Sequence, residues 1–156
     1  MYRIRTLALS LALTLTAACG SENSTVEPKI ETTTFASSLG VDLSAMTKSS
    51  SGLYTRDLTV GTGAVAVAGK RVGVHYVGSL ANGTQFDANG PTDAPFSFTL
   101  GAGQVIAGWD EGVAGMKVGG RRQLVIPPSL GYGSQANGPI PGNSILVFTV
   151  DLVSVQ

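Results

Sequence analysis

Few groups in this chain of 156 residues can do covalent, acid–base or metal chemistry. There is one histidine, His75, and one cysteine, Cys19, so no second His or thiolate cluster exists to hold a metal, and no metal site is expected. No Gly-x-Ser-x-Gly elbow, Gly-x-Gly-x-x-Gly turn or P-loop occurs. The chain is instead furnished with rings: Tyr76, Phe86, Phe96, Phe98, Trp109, Tyr132 and Phe148, with Asp87 directly after Phe86. Rings gathered around few polar groups make an apolar concavity of the kind that takes small molecules or side chains. Its available chemistry is desolvation, which favours a transition state less dipolar than the ground state. The plainer alternative is an aromatic core, with Trp109 as filler and Asp87 a solvated acid at a strand end. Tyr132 separates the two, because Gly131-Tyr132-Gly133 reads as loop, where packing needs no aromatic. His75 alternates with Tyr76 and is read as structural or exposed.

These rings must be positioned by short strands and one helix. Ile106, Trp109, Val113 and Met116 recur at the spacing of a short amphipathic helix within 104–116. Around it the pattern is β. Leu53 to Val60 alternates loosely. Over Arg71 to Leu80, Val72, Val74, Tyr76 and Leu80 share one face. Asn82-Gly83 is a hairpin signal, since both residues tolerate positive φ, and a return strand begins at Thr84. Ala88 to Pro95 reads as a surface excursion or bulge. Phe96, Phe98 and Leu100 form one face of a short strand. In Arg121 to Pro127, Arg122, Leu124 and Ile126 face one way and Arg121, Gln123 and Val125 the other. A loop with four prolines and four glycines fills Pro127 to Asn143. The last strand is Ser144 to Val153, with Leu146, Phe148, Val150 and Leu152 opposite Ile145 and Val147. The expected class is α+β, five or six antiparallel strands wrapped around one short helix.

Composition agrees: only 13% of residues are charged, 21 are glycine and net charge is zero, which suits a turn-rich β protein. With no basic stripe, no nucleic-acid partner is expected. No heptad or exposed apolar face suggests an oligomer, so a monomer is expected.

Residues 1–18 have the layout of a signal peptide, with Arg3 and Arg5 before an apolar run from Leu7 to Leu15. Thr16-Ala17-Ala18-Cys19 is similar to a bacterial lipoprotein cleavage box, which makes Cys19 the expected lipidation site; an ordinary cleavable signal is the alternative. The only cysteine, it excludes an intramolecular disulfide. Residues 19–50 are expected to be the lipidated Cys and a flexible tether, poor in bulky apolar groups to about Ser38, with 39–43 able to dock on the domain at 51–156. Gly20 lacks the Asp associated with inner-membrane retention, so the expected location is the cell envelope: the outer membrane facing the periplasm, if the source has one.

From about Leu53 to Gln156 the chain resembles FKBP-type peptidyl-prolyl cis–trans isomerases. The resemblance rests on Val74-His75-Tyr76-Val77-Gly78, Gly83-Thr84-Gln85-Phe86-Asp87, Pro95-Phe96-Ser97-Phe98, Gln104 to Gly112, Gly131-Tyr132-Gly133 and Ile140 to Phe148, in the family's order. It implies a pocket with Trp109 as floor, walls from Tyr76, Phe86, Phe96, Val105, Ile106 and Phe148, and Ile140 on a flap. It further implies that the Ile106 N–H and the Tyr132 hydroxyl bond the peptide's carbonyls, that Asp87 faces the pocket edge, and that no cofactor is needed. Proline-containing unfolded or exported polypeptides would be the substrates, and macrolide immunosuppressants possible inhibitors. The chain departs from small single-domain members at Ala136-Asn137-Gly138, where a slightly longer stretch commonly holds a His; this bears on flap contacts and substrate preference more than on activity.

The chemistry suits what the chain lacks. Rotating an X–Pro bond breaks amide resonance against a barrier of about 18–20 kcal/mol, and takes tens to hundreds of seconds uncatalysed. A ring cage that disfavours the planar, more dipolar amide needs no nucleophile or metal. The expected function is an isomerase assisting folding of exported proteins. The rivals are a prolyl-peptide-binding chaperone or adaptor with negligible turnover, and a purely structural lipoprotein.

Overall fold

The computed structural model describes residues 27–156; Cys19 and the segment read as a signal peptide lie outside them. Seven strands form one sheet: β1 (Thr47–Lys48), β2 (Tyr54–Thr59), β3 (Arg71–Leu80), β4 (Gln85–Asn89), β5 (Phe96–Thr99), β6 (Arg121–Ile126) and β7 (Leu146–Val155). All pairings are antiparallel, in the order β1-β2-β6-β7-β3-β4, with β5 also on β3. One short helix, α1 (Ala107–Gly112), lies against the inner face. This is the expected α+β architecture, with β1 as one strand more than the sequence pattern suggested.

The alternation read from the sequence is obeyed. Val72, Val74, Leu124, Ile126, Leu146, Phe148, Val150 and Leu152 point inward and enclose Trp109, Val113 and Met116. Helical hydrogen bonding stops earlier than the apolar stripe: Val113 caps α1, and Met116 is buried beyond its end. The hairpin at Asn82-Gly83 forms, with the Gly83 N–H donating to Leu80 O at 2.9 Å and φ of +90° at Gly83.

The main departure lies before β2. The segment to about Ser38 was expected to be a flexible tether, with 39–43 able to dock; the described chain runs across the outer face of the sheet as a strap already from Glu27 onward, and Leu39, Val41 and Leu43 pack there with it. Three 3-10 turns, Ile30–Thr32, Ser37–Leu39 and Leu43–Ala45, lead into β1. Ile30 is 3% exposed and joins Tyr54, Val125, Ile145 and Val147 in a second core, which Phe35, Leu39, Val41, Leu43 and Met46 cover. The physical reason is visible at one end of β6 and β7, where Val125 and Val147, with Ile145 just before β7, put apolar side chains on the outer face as well; an apolar patch on a second face needs a second cover. Polar bonds complete the seam. The Gln123 side chain, 3% exposed, donates to Leu39 O at 2.7 Å. The Ala36 N–H donates to Ala81 O at 2.9 Å. Glu31 accepts from Lys48 and from the Tyr54 hydroxyl, and the Lys48 ammonium lies over the Tyr54 ring at 5.5 Å.

Two outcomes follow. Ile30→Ala is expected to destabilise the fold by roughly 2–4 kcal/mol in urea unfolding, as for a buried large-to-small change; a free tether predicts no effect. The Lys48 and Tyr54 hydrogen bonds hold the Glu31 carboxyl at about 2 against an ordinary 4.5. Because the folded-state value is the lower one, this stabilisation is complete above the ordinary value and is lost as pH falls towards the depressed one. The thermal midpoint of wild type should therefore fall more across that window than that of Glu31→Gln.

Candidate functional site

The rings scattered along the sequence converge. A cavity of about 430 Å³ is lined by Tyr76, Phe86, Asp87, Phe96, Gln104, Val105, Ile106, Trp109, Tyr132 and Phe148. Trp109, 4% exposed, is its floor. Tyr76 meets the indole edge-on at 4.9 Å and 83°, Phe148 at 5.3 Å and 86°, and Phe96 at 6.1 Å and 80°. Phe86 stands perpendicular to Phe148 at 5.5 Å. Edge-to-face contacts of this kind fix ring orientation as well as burying area. The indole Nε1 is buried with no oxygen or nitrogen partner among the described residues; its surroundings are the faces and edges of these rings.

Each wall has a separate structural cause. Six residues of helix are too few to be stable alone, so α1 exists by docking. It docks closely because Gly108 and Gly112 face β6: a Cβ there would come within 2.6 Å of Ile126 and 2.7 Å of Leu124. The other end is held by Arg122, whose guanidinium donates to the carbonyls of Gly112 and Ala114 at 3.0 and 3.1 Å while pairing with both oxygens of Asp57 at 2.6 and 3.0 Å. That satisfies carbonyls left open at the helix end and places a cation where the dipole favours one.

The connection before α1 carries Gln104, Val105 and Ile106 into the wall. Asp110 holds it from below, its carboxylate accepting from the N–H groups of Gly101 and Gly103 at 2.8 and 3.0 Å. Gln104 Oε1 accepts from the Thr99 N–H at 2.8 Å. Among the described residues the Ile106 N–H has no hydrogen-bond acceptor, and Ile106 itself is the residue before the helix.

On the hairpin side, Phe86 and Asp87 ride on β4, and Tyr76 on β3. The Tyr76 hydroxyl donates to Asp87 Oδ2 at 2.7 Å. Burial first, and this bond second, push the Tyr76 pKa well above the usual phenol range. Burial and the Asp87 charge raise that of Tyr132. Both phenols are therefore donors at neutral pH. Tyr132, 38% exposed, has no hydrogen-bond partner among the described residues, so its hydroxyl is free at the rim. Gly78 on β3 makes room behind the wall: a Cβ there would meet Phe148 at 2.6 Å and Phe86 at 2.8 Å.

The structure thus brings together every pocket residue expected from the sequence except Ile140. Ile140 is 5% exposed and packs into the main core, bridged to Asn137 in the long loop, rather than lining the cavity. Asn137 and Ile140 exchange two backbone hydrogen bonds, at 2.9 and 3.0 Å, that close a tight turn. Gln104 also lines the cavity, a place signalled in the sequence only by its position at the start of the Gln-Val-Ile run. Phe98, 2% exposed, is core beneath the floor. His75 faces away, its Nδ1 within 2.8 Å of Asn89 Oδ1. Among the described residues no group of three or more His, Cys, Asp or Glu side chains is arranged to hold a metal, and no helix is long and apolar enough to cross a membrane.

With this geometry in hand, comparison with known proteins is specific. The sequence profile of the FKBP-type peptidyl-prolyl cis-trans isomerase family matches residues 63–153. An FK506-binding protein of Neisseria meningitidis serogroup B is 51% identical over 105 residues, 67% of this chain and 96% of that protein. FK506-binding protein 3 of Candida albicans is also 51% identical over 105 residues, but the chain spans only 24% of its length. Among solved structures, FkpA from Escherichia coli superposes with a TM-score of 0.66 at 40% identity, covering 72% of this chain and 52% of that one.

Gly78→Ala tests the cavity wall without reference to any ligand. The added methyl must drive the Phe86 and Phe148 rings away from β3. A loss of roughly 1–3 kcal/mol in urea unfolding is expected, together with a shift in the emission of Trp109, the only tryptophan. An unchanged spectrum would mean that the rings do not bound the indole's surroundings.

Proposed function

The chain belongs to the FKBP-type peptidyl-prolyl cis–trans isomerase family, and from that membership we propose that it catalyses cis–trans isomerisation of X–Pro bonds in exported polypeptides. The single observation that carries this reading is the cavity itself: perpendicular rings over an indole floor, with the Ile106 N–H, unpaired among the described residues, in its wall and the Tyr132 hydroxyl at its rim. A prolyl ring fills the apolar cup. The Ile106 N–H and the Tyr132 hydroxyl donate to the neighbouring peptide carbonyls, and Tyr76 holds Asp87 at the edge. Inside, the planar amide loses the water that stabilises its dipole, while the twisted form has less dipole to lose. Every 1.36 kcal/mol of that difference is about tenfold in rate. No proton transfer is needed, which accords with phenols that stay protonated.

The same reading extends to ligand and place. FK506-type macrolides are proposed to occupy the cup, since the relatives' names record FK506 binding. The protein is proposed to act as a monomer held to the cell envelope by a lipid on Cys19, on the outer membrane facing the periplasm if the source is Gram-negative. The support for the anchor is sequence alone: Arg3 and Arg5, the apolar run to Leu15 and Ala17-Ala18-Cys19.

A protease-coupled prolyl-peptide assay on the chain decides the central point. Acceleration by wild type is expected, with Phe86→Ala lowering kcat/KM by roughly ten- to a hundredfold through loss of a cavity wall. Tyr132→Phe should cost about three- to tenfold, one hydrogen bond's worth. Binding of the peptide without acceleration would instead make the protein a prolyl-peptide adaptor, and an unchanged rate in Phe86→Ala would dismiss this cavity as the site.

A further inference from the structure

The strap of residues 27–50 lies before residues 63–153, the part matched to the family, and sits on the face of the sheet opposite the cavity. Its contacts nevertheless lead to the cavity wall. β4 is the last strand in the sheet order, paired along one side only, to β3. It carries Phe86 and Asp87, and its pairing with β3 shifts register between Gly78 and Ser79. An edge strand beyond an irregularity, joined by a tight turn, is the part of a sheet with least to hold it.

The strap supplies what is missing. At one point it is fixed to the middle of the sheet, where the Gln123 side chain on β6 donates to Leu39 O at 2.7 Å. Three residues earlier, the Ala36 N–H donates to Ala81 O at 2.9 Å, in the turn between β3 and β4. Ala36 and Ser38 also lie directly against Gly83, at 3.0 and 3.2 Å from where its Cβ would be. The strap therefore bridges β6, across β7 and β3, to the turn that delivers β4. Ser38, Gln85 and Gln123 border one cleft of about 240 Å³ beneath this bridge.

We infer that residues 36–39 are a built-in clamp which, by tying the β3–β4 turn to β6, positions Phe86 and Asp87 for ligand binding. This rests on the prolyl-site reading for its consequence, though not for its mechanical part. Released from the clamp, β4 spends part of its time displaced, and apparent affinity falls by the fraction of time the wall is in place. Once ligand is bound the wall is in place, so turnover of the complex is little altered. The coupling is reciprocal: ligand in the cavity tightens the strap on the opposite face.

Two variants of the full chain test it. Ala36→Pro removes the N–H that Ala81 O accepts; Ala36 has φ of −60°, which proline shares, so the strap keeps its path. Gln123→Met removes the anchor on β6 at similar volume, and keeps the test open should the proline variant fold poorly. Both lie away from the cavity. In each, amide exchange over residues 84–89 should quicken by about tenfold while β6 and β7 keep their protection. KM should rise roughly three- to tenfold with kcat nearly constant, and saturating FK506 should restore the protection. Glu31→Gln, which loosens the strap's far end, should leave residues 84–89 as in wild type. Unchanged exchange over 84–89 in both variants, or exchange that quickens equally throughout the sheet, overturns the clamp. If wild type accelerates no prolyl peptide, the isomerase reading falls, and the exchange pattern still decides the clamp.

Discussion

The close seating of α1 on the inner face of the sheet is the constraint on which the rest depends. A helix of six residues brings little stability of its own, so its place is set by contact. Gly108 and Gly112 let its backbone approach Ile126 and Leu124, and Arg122 pins its C-terminal carbonyls. Only at that depth does Trp109 become the floor of a cavity instead of a residue that fills it. The cavity lies at the N-terminal side of the helix, where Gln104, Val105 and Ile106 join Phe86, Phe96 and Phe148 around Trp109.

The walls and rim are supported by the same economy of short bonds. Asp110 reaches back from α1 to hold the turn before it, so the helix that carries the floor also shapes the Val105–Ile106 wall. The Tyr76–Asp87 bond ties β3 to β4 at the opposite wall. Behind that wall, Gly78 leaves room for two rings where any side chain would intrude. The site is thus rigid at the floor, where rings stand perpendicular at close range, and dependent on its edge strand at one side.

The outer face completes the molecule. Val125 of β6, Val147 of β7 and Ile145 just before β7 belong to the outer face, and the strap covers them. A segment rich in Ser and Thr is ordered here because its few apolar residues, Ile30, Phe35, Leu39 and Val41 among them, meet a surface already prepared for them. Composition averaged over the segment underestimates this, since burial is decided by individual side chains with a partner, not by the mean.

Most of the frame was legible in the residues. Period-two alternation located β2, β3, β5, β6 and β7 to within a few residues, and Asn82-Gly83 marked the hairpin into β4, because backbone preference and side-chain facing are local properties. β4 itself runs on through Ala88 and Asn89, where a surface excursion was expected. The three-four-three spacing marked the helix, although its hydrogen bonds end before Met116. The ring set and its order along the chain determined which side chains were available for a dry cavity. Tertiary structure alone decided that Ile140 turns into the core, that Gln104 borders the cavity, and that residues 27–50 lie on the sheet. Apart from 39–43, whose apolar residues marked them as able to dock, each of those depends on which distant surface happens to stand opposite, a relation between elements that no local spacing encodes.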